Sequence, residues 1–273
     1  MASKLQRKIQ KRKIIFVLPT FNVGGAERVF LTYLANVNNE KYEKHLVVIK
    51  NTRQLEYLID KETVLHDLKN SKLIFSFPKL LKTLKKIQPD IVLSTMTLMN
   101  FIVLSLKTFF PKAKFVVREA ITPSFFFKKY RTLKPILKWL YNLLYPKADL
   151  ILSPTAMVFD EFQKDLKLNA EKFKRLHNPV DIKKLREQAK QKGKTIQNEK
   201  TVKFICCGRL HHQKGYDRLI DSISQSTLDF DWKLNIYGEG EEHETLLSQI
   251  LNLNLQDRIV LNGLVKSVAT YIA

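Results

Sequence analysis

The feature that most constrains this chain is a rhythm. Short, β-branched apolar runs recur along it, separated by longer segments with helical spacing. The runs are Ile14–Leu18, His45–Ile49, Ile91–Ser94, Lys114–Val117, Leu150–Ser153 and Phe173–His177. Strands apolar on both faces must be buried on both faces. Their alternation with helices therefore predicts a parallel sheet covered on each side. After Phe173–His177 come Asn178-Pro179-Val180-Asp181 and a polar, aperiodic stretch, Lys190–Lys200, which marks a boundary. The rhythm then restarts with strands at Thr201–Cys206, Lys233–Tyr237 and Arg258–Leu261, and helices near Tyr216–Ser224 and Glu242–Leu251. The expected fold class is α/β, with two Rossmann-like, doubly wound parallel-sheet domains. The first spans 1–178, a linker covers 179–200, and the second occupies 201–273 and is incomplete.

Composition narrows the function classes. With 273 residues, 45% hydrophobic and only 8 Gly and 9 Pro, the chain is neither disordered nor fibrous. The two cysteines are neighbours, Cys206 and Cys207, which cannot form a disulfide framework and point to a reducing, cytoplasmic setting. The basic start from Met1 to Lys13 leads only into a short apolar run ending at Pro19, which does not read as a secretory signal. Ile91–Leu106 is uncharged but contains Ser94, Thr95, Thr97, Asn100 and Ser105. It also falls short of the ~20 residues a spanning helix needs, so it reads as a strand followed by a helix. The charge is extreme: 47 Lys+Arg against 26 Asp+Glu gives +21, which attracts polyanions.

Open parallel sheets bind ligands in the loops beyond the carboxyl ends of their strands. Beyond the first strand lies Gly24-Gly25-Ala26-Glu27-Arg28, a glycine pair before a helix where an anion can approach free backbone N–H groups. The second domain's first strand leads into Gly208-Arg209-Leu210-His211-His212-Gln213-Lys214-Gly215. Arg209 offers bidentate recognition of phosphate oxygens and Lys214 a point charge, a pair suited to a diphosphate. Gly238-Glu239-Gly240 is a lone G-x-G with His243 where a third glycine would be needed, which disfavours a nicotinamide or flavin cofactor.

Taken in order, Gly24-Gly25-Ala26-Glu27-Arg28, Gly208-Arg209…Lys214-Gly215…Leu219-Ile220, Tyr237-Gly238-Glu239-Gly240 and Gly263-Leu264-Val265 resemble the retaining glycosyltransferases of the GT-B fold, family four. The resemblance implies an acceptor held by the N-terminal domain and a nucleotide-sugar donor held by the C-terminal one. Arg209 and Lys214 match the pair that neutralises the leaving diphosphate. Gly24 and Gly25 match a loop near those phosphates, and Gly238 and Gly263 match segments that contact the nucleoside. No metal cofactor is expected. Members often carry a His where this chain has Arg118-Glu119-Ala120, so a catalytic role at Arg118 or Glu119 stands beside a purely structural ion pair. The family's Glu-rich, sugar-binding motif would fall beyond residue 273. A truncated and weakly active chain is therefore expected.

The remaining ionisable clusters read as structural. His211 and His212 are adjacent and lack the spacing for one metal. Glu239, Glu241, Glu242 and Glu244 suit a helix start. From Pro123 to Lys147 there are Lys128, Lys129, Arg131, Lys134, Lys138 and Lys147 and no acid. Phe125, Phe126 and Phe127 lie among them. That triplet, with Lys128, Lys129 and Arg131, is the expected contact with an anionic membrane surface on the inner face of the plasma membrane. Single-stranded nucleic acid is the competing partner for such a segment, but no nucleic-acid module accompanies it, so none is expected as a partner. The competing functions are a basic membrane- or nucleic-acid-binding module without catalysis, and a sugar-nucleotide epimerase.

Overall fold

The computed structural model describes residues 10–22, 24–70, 72–166, 168–190, 201–265 and 269–272. The basic residues before position 10 and the polar stretch 191–200 lie outside them. The chain divides into two compact units, Met1–Val180 and Asp181–Ala273.

The first unit runs β1 (Arg12–Thr20), α1 (Gly25–Ala35), β2 (Tyr42–Lys50), β3 (Val64–Asp67), α2 (Phe77–Ile87), β4 (Ile91–Thr95) and α3 (Thr97–Ser105). It continues with β5 (Lys114–Arg118), α4 (Pro123–Lys129), α5 (Lys134–Leu144), β6 (Leu150–Ser153), α6 (Ala156–Leu166) and β7 (Phe173–Arg175). Its seven strands are parallel in the order β3-β2-β1-β4-β5-β6-β7. β1 shows why an apolar run becomes a central strand. Ile15 and Val17 enter one core with Leu80 and Leu84 of α2 and Tyr141 of α5. Ile14, Phe16 and Leu18 point the other way, into a second core with Phe30, Leu31 and Leu34 of α1. Each such side chain contributes roughly 1.5–3 kcal/mol on burial, so both faces of the sheet hold it in place.

The second unit holds α7 (Ile182–Lys190), β8 (Val202–Cys207), α8 (Tyr216–Ser224), β9 (Trp232–Tyr237), α9 (His243–Asn252), β10 (Ile259–Leu261) and α10 (Ala269–Ile272). Its described strands form a parallel sheet ordered β10-β9-β8. Leu234 and Ile236 of β9 pack with Ile220 of α8 and Leu246 and Ile250 of α9.

Two features differ from expectation. β3 is an edge strand that the apolar runs did not reveal, because Val64-Leu65-His66-Asp67 is short and half polar. The first part of the expected linker is helical: Ile182, Leu185 and Ala189 recur at three- and four-residue spacing behind Asp181, and α7 lies against α10. Among the described residues, no helix is long and apolar enough to cross a membrane.

Candidate active site

In the second unit the sheet's hydrogen bonding carries on past the strand ends, and this places the loops. Gly208 N donates to Tyr237 O (2.9 Å), Leu210 N to Glu239 O (2.9 Å), Glu242 N to Leu210 O (3.2 Å) and Gly238 N to Gly263 O (2.7 Å). The loops after β8 and β9 approach so closely that a Cβ on Gly238 would stand 1.8 Å from Gly208 O. One on Gly240 would stand 2.0 Å from Leu210 O. The G-x-G thus reflects the meeting of two backbones. A Cβ on Gly263 would meet nothing within 4 Å, so the space above that backbone is open.

This frame fixes the two cations. His212–Lys214 forms a single 3-10 turn, closed by Gly215 in the left-handed region (φ 68°), and α8 starts directly after it. The stem of Lys214 lies across Gly208, the residue before Arg209, its Cε 3.2 Å from where a Cβ would stand. Both side chains are exposed, and neither pairs with an acid among the described residues. Two cations with no acidic partner among the described residues, in a loop held by main-chain bonds just before a helix, have the charge and donors that a diphosphate needs. Burial pushes the Cys206 thiol up, and burial with its neighbour does the same for Cys207, so neither is an activated nucleophile.

The two histidines have a partner the sequence did not show. Glu241 comes to them across the interlocked loops, and the ligand atoms of His211, His212 and Glu241 lie within 4.8 Å of one another. However, Nδ1 of His211 accepts the Gln213 N–H (3.2 Å), which leaves the neutral ring's proton on Nε2, facing Glu241 at 3.4 Å. As placed, His211 caps the turn that carries Lys214.

In the first unit, Gly24 precedes α1 in extended conformation, and the Glu27 carboxylate folds back over it. A Cβ on Gly24 would meet Glu27 Oε2 at 2.2 Å, whereas one on Gly25 would meet nothing within 4 Å. The open approach is at Gly25. Gly25→Ala is expected to leave the fold intact and to raise stability by up to ~1 kcal/mol through helix propensity. A fall in melting temperature would show that the space above Gly25 is filled.

Arg118 ends β5 and Glu119 follows it, and both are buried. Glu119 is 0% exposed. It accepts hydrogen bonds from Thr97 Oγ1 (2.9 Å), Asn100 Nδ2 (2.8 Å) and the Tyr145 hydroxyl. Asn100 in turn accepts from Ser94 (2.7 Å), and Tyr141 donates to Thr97 (3.2 Å). Desolvation outweighs these bonds and pushes the Glu119 carboxyl up to about 7. The expected catalytic carboxylate is therefore an internal one. It ties β5 to α3 and to the turn after α5, and cannot touch a substrate as placed. Arg118 reaches elsewhere, to Thr95 Oγ1 (3.2 Å) and Asn178 Oδ1 (2.6 Å). Burial lowers its pKa, and Tyr33 and Glu119 partly offset that.

The expected membrane triplet also needs correction. Phe126 and Phe127 are buried against Tyr141 in the sheet-facing core, and only Phe125, 41% exposed, looks outward. α4 turns twice between Thr122 and Tyr130, so consecutive phenylalanines cannot share one face. Lys128, Lys129 and Arg131 remain exposed.

Comparison with known proteins follows the same outline. The model of the family described as Glycosyltransferase Family 4 matches residues 23–184, and that of Glycosyl transferases group 1 matches residues 187–272. The N-acetylgalactosamine-N,N'-diacetylbacillosaminyl-diphospho-undecaprenol 4-alpha-N-acetylgalactosaminyltransferase of Campylobacter jejuni is 29% identical, over 96% of this chain and 72% of its own length. Anabaena HepE, solved with UDP and glucose, is similar with a TM-score of 0.69 at 17% identity, over 96% of this chain and 71% of its own. The UDP-GlcNAc 2-epimerase of Neisseria meningitidis, bound to UDP-GlcNAc, has a TM-score of 0.58 at 15% identity, over 95% and 75% of the two chains. The fold alone thus serves both transfer and epimerisation, and the family matches are what separate them.

Proposed function

The chain belongs to Glycosyltransferase Family 4, and from that premise we propose that it moves a sugar, with retention, from a nucleotide-sugar donor on the second unit to a glycan or lipid-linked acceptor on the first. It is a glycosyltransferase, and the finer assignment rests on one observation. Arg209 and Lys214 lie in one loop beyond β8, exposed and without an acidic partner among the described residues, where a parallel sheet presents its ligand. When the bond from the anomeric carbon to the diphosphate breaks, negative charge gathers on the leaving oxygen and the sugar becomes oxocarbenium-like. Cations already in place favour that state over the ground state. They supply the charge that a divalent ion supplies in other transferases, so no metal is invoked. On the second unit the open backbone at Gly263 leaves room for a nucleoside, and Gly238 lets the loops after β8 and β9 meet; on the first, the open backbone at Gly25 leaves room for an anionic group.

A lipid-linked acceptor is supported by the Campylobacter relative, whose name specifies a diphospho-undecaprenol substrate. Such an acceptor places the enzyme on the inner face of the plasma membrane as a peripheral protein, which the charge of +21 favours. The test is calorimetry with UDP, GDP, ADP and NAD, followed by the matching nucleotide-sugars with and without lipid-linked acceptors. One nucleoside diphosphate is expected to bind and one donor to turn over only with acceptor. A donor isomerised without any acceptor would establish an epimerase instead, and binding of NAD alone would refute the donor site.

A further inference from the structure

With Phe126 and Phe127 internal, a membrane contact needs another surface, and α2 offers one. Leu80, Leu84 and Ile87 hold its inner face, while Lys82, Lys85 and Lys86 are exposed on the outer one and Lys79, on its flank, donates to Leu68 O (3.1 Å). From Leu68 to Pro89 the sequence has six lysines and no acid. The 3-10 turn Leu73–Ser76 runs straight into this helix, the Ser76 hydroxyl donating back to Leu73 O (2.6 Å). That turn exposes Ile74 (75%) and Phe75 (66%). The half-exposed ring of Phe109 lies nearby, 6.5 Å from that of Phe77, with Lys85 Nζ 5.9 Å above it. Scattered surface hydrophobes need no explanation, but two in succession at the head of a lysine face do.

We propose that Leu73–Ile87 is a docking element for an anionic bilayer. Ile74 and Phe75 enter the boundary between headgroups and acyl chains, and the lysines of α2 meet anionic headgroups. Charge complementarity selects this occupant, since a second copy of the chain would bring the same lysines against themselves. The exposed stripe of α5 (Leu133, Ile136, Trp139, Leu143) fits less well, because Lys134 and Lys138 lie about half a turn away on its opposite flank. The inference deepens the membrane reading above but uses none of the residues assigned to the donor.

The experiment is co-sedimentation of the whole chain with vesicles of phosphatidylcholine alone or mixed with phosphatidylglycerol. Wild type is expected to bind only the anionic vesicles, and less at high salt. Lys82→Ser with Lys86→Ser should lower the affinity about twenty-five-fold, at roughly fivefold per lysine. Ile74→Ser with Phe75→Ser should lower it at least tenfold, and Ile136→Ser with Trp139→Ser should leave it within twofold. All the substituted side chains are exposed, so melting temperatures should hold. Wild-type affinity in both α2 variants, loss only in the α5 variant, or tighter binding to single-stranded DNA than to vesicles would each overturn the proposal. Nucleoside diphosphate affinity, measured on the same samples, separates the readings. If it survives while vesicle binding fails, the docking element falls and the transferase stands.

Discussion

Arg209→Ala and Lys214→Ala are each expected to weaken nucleoside diphosphate binding by roughly ten- to a hundredfold, from the ~1.5–3 kcal/mol of a charge-assisted hydrogen bond. The double variant should lose up to ~10⁴-fold if the two act independently on separate phosphate oxygens. Neither side chain packs in a core, and the frame beneath them is built from main-chain bonds at Gly208, Leu210, Gly238 and Glu242. The melting temperature should therefore hold while affinity falls. Turnover should fall further than binding, because the charge they meet grows as the bond to the diphosphate breaks. Arg209→Lys is the discriminating control. It keeps the charge but loses the planar fork, so it should recover only part of the affinity. Calorimetry on the three single variants and the double one decides the matter. Unchanged affinity in both alanine variants would remove the cations from the donor site.

How far the fold could be read from sequence depended on burial. β1, β2 and β4 are buried on both faces, so the runs Ile14–Leu18, Leu46–Ile49 and Ile91–Leu93 at their centres are apolar without interruption and announce themselves. β3 sits at the sheet's edge with Val64 and Asp67 exposed, and an edge strand has no need of a continuous apolar run. Among site residues, Arg209 and Lys214 were legible because the loop after a parallel strand is a fixed place in the fold. Glu241 was not, since its approach to His211 depends on two glycine loops interlocking across thirty positions of sequence. The lysines of α2 were visible but not singled out, because their meaning depends on Ile74 and Phe75 being left outside the core. The opposite happened in α4, where helix geometry sent two of three aromatic rings inward.

The buried Glu119 makes stability depend on pH in a direction opposite to most carboxylates. Its folded-state pKa of about 7 exceeds the ordinary value of 4.5. The folded protein therefore holds a proton at this position between pH 4.5 and 7 that the unfolded chain has released. Stability is full below the lower value, is lost as pH rises through this window, and levels off above about 7. The difference corresponds to ~3 kcal/mol, most of it spanned between pH 5 and 8. Glu119→Gln keeps the shape and cannot ionise. Its amide oxygen can still accept from Asn100 and Tyr145, and its amine can donate to Thr97. This variant should match wild type near pH 5 and exceed it by about 2–3 kcal/mol at pH 8. Denaturant melts of the two proteins at both pH values give the comparison, and subtracting one from the other cancels every other titrating group. Parallel curves would mean that the carboxyl is already ionised at pH 5, with Thr97, Asn100 and Tyr145 together outweighing its burial. In the expected case the network serves as a positioning device. It spends stability at neutral pH to lock the end of β5 against α3 and the turn after α5.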